Sequence, residues 1–145
     1  SEQHEAVASR YDALGIDAEI APFFDDIPTH MACADIIISR SGASSVAEIA
    51  AAGRASILIP FPAAMDDHQR ANAEVLLRCG GADIAPETGL SPETLADILL
   101  PLITDETRRT TQADAARTAL LGNAATAIAL HAEQIISKTA PLEAA

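Results

Sequence analysis

Residues Ala34–Gly53 read ADIIISRSGASSVAEIAAAG, and this stretch decides the fold class. Its three consecutive isoleucines predict a strand at Ile36–Ser39 that is buried on both faces, as strands of parallel sheets are. A glycine-containing turn, Arg40–Ala43, comes next, and a helix is predicted over Ser44–Ala52, closed by Gly53. A strand that leads through a short turn into a helix is the repeating unit of α/β proteins with a parallel sheet.

The same alternation continues on both sides of this stretch. Further strands are predicted at Ala18–Ala21, Ser56–Ile59 and Ala82–Ile84. Further helices are predicted at Ser1–Leu14, Pro28–Ala34, Gln69–Cys79, Glu106–Leu120 and Asn123–Lys138. One more helix begins at Ser91-Pro92-Glu93, where a capping serine, a proline at the first helical position and an acidic first turn coincide.

The order of these elements predicts a Rossmann-like parallel sheet with extra C-terminal helices. The domain is expected to span residues 1–138, and the tail, residues 139–145, is expected to fray. Because doubly wound folds normally open with a strand, a helix at the start indicates that the first strand and its loop are missing.

Composition restricts the classes of partner. The chain has 145 residues, a formal net charge of -12 and only 3% aromatic residues. The negative charge repels the phosphate backbone of nucleic acids. Proteins that stack on bases need aromatic side chains, which are scarce here, so nucleic acid is not an expected partner. An anionic ligand must therefore be held locally, by backbone N–H groups or a well-placed arginine.

Two further expectations concern the cysteines and the membrane. Cys33 and Cys79 lie in no metal or redox motif and are expected to be buried, reduced thiols of a cytosolic protein. No signal peptide is visible. The most apolar stretch, Leu95–Ile103, contains Pro101 and is too short to cross a bilayer.

The loop that follows the predicted strand Ile36–Ser39 is the first candidate ligand site. Exposed N–H groups at a helix start favour a diphosphate, and Gly42 allows it to approach the backbone. Ser41, Ser44 and Ser45 can add hydroxyl donors. The alternative is an ordinary capped helix, because Ser45 and Glu48 have the spacing of a capping box.

The segment Pro60–Asn72 is the second candidate. Its polar residues are Asp66, Asp67, His68, Gln69 and Asn72. Asp67 is able to cap the following helix while the others face water, and a metal site from Asp66, Asp67 and His68 is a weaker alternative. A surface that binds sugar hydroxyls is the third possibility, because Gln and Asn supply paired donors and acceptors.

A third short segment, Pro22–Ile27, combines an apolar wall with backbone amides that could hold a flat base. The alternative is a turn around a packed phenylalanine. The segment contains Phe23, Phe24, Asp25 and Asp26.

Taken together, these segments resemble the MurG family of peptidoglycan glycosyltransferases, in order and spacing, over roughly residues 10–120. The resemblance is carried by PFFDDI (22–27), ADIIISRSGA (34–43), VAEIAAAG (46–53), IPFP (59–62) and DHQRANA (67–73). It implies one half of a GT-B fold, in which two Rossmann-like domains enclose the active site, and this chain looks like the C-terminal, donor-binding domain.

The resemblance also implies roles for individual residues. Phe24 and Ile27 would lie beside the uracil of a UDP-sugar. Ala43, Ser44 and Ser45 would meet the diphosphate, and Glu48 would accept hydrogen bonds from the ribose. Gln69 would bind the hydroxyls of N-acetylglucosamine, with His68 at a position where many members carry another Gln, and Ser41, Gly42 and Asn72 complete the expected substrate-binding set.

The implied activity is an inverting, metal-independent transfer of N-acetylglucosamine from UDP-N-acetylglucosamine to lipid-linked N-acetylmuramyl-pentapeptide, without a cofactor. The parent enzyme would act at the cytoplasmic face of the bacterial inner membrane. The catalytic base and the acceptor site would belong to the missing N-terminal domain, so this chain alone is expected to be inactive. The alternatives are another GT-B enzyme with a different UDP-sugar or acceptor, and a non-catalytic nucleotide-binding α/β module.

Overall fold

The computed structural model describes residues 2–63, 67–119 and 124–139, which contain seven helices and a small parallel sheet. The strands are β1 (Ile36–Ser39), β2 (Ala55–Leu58) and β3 (Asp83–Ile84). The helices are α1 (Glu2–Ala13), α2 (Ile27–Cys33), α3 (Ala43–Ala52), α4 (His68–Arg78), α5 (Pro92–Thr104), α6 (Glu106–Ala119) and α7 (Ala124–Thr139). The predicted alternation of strands and helices from Ile36 onward is therefore confirmed, with boundaries shifted by one or two residues.

The sheet order is β1-β2-β3, and both neighbouring pairs are parallel. β2 is the central strand, and all four of its residues are buried. Ile57 packs in one core cluster with Leu102 of α5, whereas Leu58 packs in another with Ile49 of α3 and Leu76 of α4. Helices therefore cover both faces of the sheet, as the predicted doubly wound architecture requires.

Two predictions about strands are wrong. The segment Ala18–Ala21 is not a strand, because no described strand pairs with it. Its Ile20 carbonyl lies 3.1 Å from His4 Nε2 of α1. β1 is not buried on both faces, since Ile38 is 43% exposed. β1 is an edge strand within the described residues, and α5 packs on β2 beside it. An apolar run alone does not reveal whether a strand is central or at the edge.

The cysteines also depart from expectation, because both thiols belong to exposed residues. Cys33 is the last residue of α2, and Cys79 follows the last turn of α4. The Cys79 thiol donates to the Leu76 carbonyl at 3.1 Å. Helix ends project beyond the core, so a small apolar residue there remains accessible.

Helix α6 is fitted closely against the sheet. A Cβ added to Gly81 would lie 2.7 Å from the Ala116 Cα, so this approach needs glycine. The buried Gln112 accepts from the Ser56 N–H at 2.9 Å and donates to Asp83 at 3.2 Å. Helix α6 thus packs as part of the domain that carries the sheet.

The C-terminal predictions are covered only in part. Thr139 ends α7, whereas residues 140–145 of the expected tail lie outside the described residues, as does residue 1. The domain limits remain predictions. None of the described helices is long and apolar enough to cross a membrane.

Candidate functional site

The carboxyl end of β1 leads into a helix start whose N–H groups are not capped by any side chain. Gly42 is the N-cap residue of α3, with φ -59° and ψ 149°, and it forms no side-chain capping bond. The first turn contains no acidic residue, and Ala43 and Ser44 are exposed, with Ser45 half-buried. The backbone donors and the positive end of the helix dipole therefore face an open surface, which suits an anion.

The alternative that Ser45 and Glu48 form a capping box is wrong. The helix begins at Ala43, so Ser45 lies inside the first turn and cannot act as its cap. Glu48 is exposed and forms no hydrogen bond or ion pair with the residues that the structure describes. Glu48 is one of the residues that line a cavity of about 200 Å³ between α2 and α3, together with Pro28 and Met31. The carboxylate is free to accept hydrogen bonds from a ligand.

The turn before α2 is held rigidly beside this cavity. Asp26 Oδ1 accepts from the Thr29 N–H at 3.1 Å and so caps α2, and these hydrogen bonds hold the pKa of Asp26 below its usual value. The half-buried Phe24 ring packs edge-to-face against His30, with 4.7 Å between ring centroids. Ile27 begins α2 and is 37% exposed. Phe24 and Ile27 thus provide an apolar surface at the start of α2, and α2 packs against α3, the helix that carries Glu48.

The two polar loops predicted from sequence are joined by direct hydrogen bonds. Ser41 is completely buried, and its hydroxyl donates to the Gln69 backbone carbonyl at 2.8 Å. The Asn72 amide nitrogen donates to the Ser41 carbonyl at 3.1 Å. Gln69 Oε1 accepts from the Phe61 N–H at 3.0 Å, and the Gln69 side-chain NH₂ group has no hydrogen-bond partner among the described residues. The β1–α3 loop and the start of α4 form one connected surface.

His68 and Asp67 lie at the outer part of this surface. His68 is the exposed first residue of α4. Asp67 adopts a left-handed conformation with φ 53° and makes no capping bond, so the expected Asp67 cap is not formed. Asp66 lies outside the described residues, and the described part of the chain contains no cluster of three metal-ligating side chains.

Sequence reasoning did not single out Arg40, which bridges the carboxyl ends of all three strands. Its Nη1 lies 2.5 Å from Glu87 Oε2 and 3.4 Å from the Ile59 carbonyl, and its guanidinium carbon lies 5.4 Å from the Phe61 ring centroid. The Arg40 hydrogen bond lowers the pKa of Glu87. The available signal was its position, because Arg40 directly follows β1, and ligands of parallel sheets bind at that edge.

Comparison with known proteins identifies the family of this chain. Residues 1–135 match the model of the glycosyltransferase family 28 C-terminal domain. UDP-N-acetylglucosamine--N-acetylmuramyl-(pentapeptide) pyrophosphoryl-undecaprenol N-acetylglucosamine transferase of Brucella anthropi is 45% identical over 134 residues, which are 92% of this chain and 36% of the relative. The enzyme of the same name from Brucella suis biovar 1 is 42% identical over 136 residues, covering 94% and 36% of the two chains.

A solved structure is similar as well. The crystal structure of Acinetobacter baumannii MurG superposes with a TM-score of 0.79 at 34% identity, over 95% of this chain and 39% of that chain. The expected fold, one parallel-sheet half of a GT-B glycosyltransferase, is confirmed. The chain spans a little over a third of the length of these relatives.

Proposed function

The chain belongs to the family of glycosyltransferase family 28 C-terminal domains, and we propose that it is the donor-binding part of an N-acetylglucosaminyltransferase of peptidoglycan synthesis. The parent enzyme transfers N-acetylglucosamine from UDP-N-acetylglucosamine to a lipid-linked N-acetylmuramyl-pentapeptide. The acceptor's C4 hydroxyl loses its proton to a base outside this chain and forms a bond to the anomeric carbon. The bond from that carbon to the β-phosphate oxygen breaks, and UDP leaves with the electron pair.

The uncapped start of α3 is the observation that carries this proposal. Charge develops on the diphosphate as the sugar–phosphate bond breaks, and preorganised N–H donors stabilise such charge without a metal ion. The N–H groups of Ala43, Ser44 and Ser45 begin a helix with no competing cap. An acidic chain with a net charge of -12 thereby binds a dianion through local donors.

The remaining predicted contacts surround this helix start. Glu48 lies one turn along α3 and would accept hydrogen bonds from the ribose, and Phe24 and Ile27 would lie beside the uracil. The free NH₂ group of Gln69 would donate to sugar hydroxyls, with His68 and Asn72 nearby. Their support is that α2 and α4 both contact α3, and that Ser41 is bonded to Gln69 and Asn72.

The acceptor would bind mainly through the remainder of the parent protein. Its lipid chain places the reaction at a membrane, and a nucleotide-sugar donor indicates the cytoplasmic face. The parent enzyme would therefore act peripherally at the inner face of the bacterial membrane.

A titration tests the donor site directly. The isotope-labelled chain is titrated with UDP-N-acetylglucosamine, and backbone amide shifts are followed by NMR, with ADP-glucose as the control. We expect shifts confined to residues 24–27, 41–48 and 68–72, with the UDP-sugar alone. Equal shifts with ADP-glucose would reduce the proposal to general diphosphate binding. Absence of shifts in both this chain and the full-length parent would contradict it.

A further inference from the structure

Ser41 was expected to be one of several hydroxyl donors to the ligand, but its surroundings exclude direct contact. The residue is completely buried. Among the described residues the Ser41 hydroxyl has a structural role, because it donates to the Gln69 carbonyl across 28 positions of sequence. Its own carbonyl accepts from the Asn72 side chain. Ser41 thus has one bond to the backbone and one to a side chain of α4.

The start of α4 has few other attachments. Asp67 supplies no cap, and the buried residues of α4, Ala73 and Leu76, begin after its first turn. The first turn is held by the two bonds with Ser41 and by the bond between Gln69 and Phe61. Two of these three bonds are made by Ser41, so the position of the backbone that carries Gln69 depends on Ser41.

The start of α3 is anchored independently of these bonds. The Ile59 N–H donates to the Ser39 carbonyl at 2.8 Å, which ties the end of β1 to β2. Val46, Ile49 and Ala50 of α3 are buried in the core. Removing the Ser41 hydroxyl should therefore disturb α4 more than the α3 start.

We propose that Ser41 is a positioning residue that aligns the sugar-binding start of α4 with the diphosphate-binding start of α3. This inference rests on the proposed function. It predicts that Ser41 contributes to affinity for the sugar part of the donor and contributes little to affinity for UDP. A direct phosphate contact would instead strengthen the binding of both ligands alike.

The test compares Ser41→Ala with Ser39→Ala in the full-length enzyme that contains this chain. Ser39→Ala is a matched control, because the Ser39 hydroxyl donates to a carbonyl at the same 2.8 Å distance, but only to the adjacent residue Arg40. The dissociation constants for UDP-N-acetylglucosamine and UDP are measured by calorimetry. The preference is defined as the ratio of the UDP constant to the UDP-sugar constant.

We expect Ser41→Ala to lower this preference about fivefold, the value of one hydrogen bond, while UDP affinity changes less than about twofold. Ser39→Ala should leave the preference unchanged. An unchanged preference in Ser41→Ala, or an equal loss of affinity for both ligands, would overturn the positioning role.

A second variant and the wild type complete the test. Ser41→Cys replaces the hydroxyl by a slightly larger group that is a weaker donor, so it should lower the preference in the same direction if Ser41→Ala does not fold. An unchanged preference in folded Ser41→Cys would overturn the positioning role. Wild-type enzyme that binds neither UDP-N-acetylglucosamine nor UDP would overturn the proposed function itself, which distinguishes the two failures.

Discussion

The starts of α3 and α5 are two helix ends with similar sequence signals and opposite structures. At α5 the Ser91 side chain accepts from the Thr94 N–H at 3.2 Å, and the Thr94 hydroxyl accepts from the Ser91 N–H at 2.8 Å. At α3 the N-cap is Gly42, without any side-chain capping bond. One helix satisfies its terminal donors with its own residues, and the other leaves them to an external partner.

The difference between these helix ends separates stability from binding. A reciprocal cap stabilises a helix by about 1 kcal/mol and leaves no donor for a ligand. A start with glycine at the N-cap is only a few tenths of a kcal/mol less stable than one with a side-chain cap, and its donors are already oriented when an anion arrives. Four changes test this contrast, from the largest expected effect to the smallest.

A capping side chain introduced at the start of α3 should strongly weaken donor binding. Gly42→Asp places a capping carboxylate where the diphosphate would bind, so we expect affinity for UDP-N-acetylglucosamine to fall on the order of 100-fold. The free energy of unfolding should change by only a few tenths of a kcal/mol. Calorimetry and urea unfolding measure the two quantities.

The matched control is Gly42→Ala, which adds a methyl group without charge. The nearest atom to its Cβ would be Ser45 Oγ at 3.7 Å, and φ is -59°, so the fold should accept the change. Affinity should fall less than in Gly42→Asp. Unaltered donor binding in Gly42→Asp would show that the anion does not bind at α3.

Changing Glu48 should affect binding without affecting stability. Because this carboxylate caps nothing, Glu48→Gln should alter the free energy of unfolding by less than about 0.5 kcal/mol. Affinity for UDP should fall about tenfold through loss of a charge-assisted hydrogen bond, and affinity for 2′-deoxy-UDP should fall less. Glu5→Gln, at an exposed acid of α1, is the control. Equal losses with both nucleotides would argue against a ribose contact.

Removing the α5 cap should give the reverse result. Ser91→Ala should lower the free energy of unfolding by about 1 kcal/mol and leave donor affinity unchanged. Ser91→Asp should restore most of the stability. Chemical denaturation measures the loss, and a decrease in donor affinity would contradict the division between the two helix ends.

The smallest expected effect is a loss of stability at acidic pH. The Ser91 side chain, followed by a backbone N–H, holds the pKa of Glu93 below its usual 4.5. The folded state therefore binds fewer protons than the unfolded state, and the contribution of Glu93 is complete above pH 4.5 and is lost as pH falls through the folded pKa. The stability difference between wild type and Glu93→Gln should be larger at pH 7 than at pH 3. A difference that does not decrease between pH 7 and pH 3 would contradict this.

Much of the fold followed from local pattern. The isoleucine run, the glycine after Ala52 and the Ser91-Pro92-Glu93 start each carry their own signal, and each lies where predicted. The strand predicted at Ala18–Ala21 was wrong, because a strand forms only where a neighbouring strand pairs with it, and no described strand does so. The prediction of buried thiols was wrong, because the exposure of a cysteine depends on where its helix ends relative to the core.

The sequence by itself determined the alternation of strands and helices, the family resemblance and the presence of polar residues after β1 and β2, because periodicity and turn chemistry are local. Only the tertiary structure decided which polar groups are free. Ser41 and Asn72 are committed to joining two loops, Glu48 has no partner among the described residues, and Arg40 connects three strand ends. Hydrogen-bond partners that lie 28 or 47 positions apart are set by how the layers pack, which local sequence does not encode.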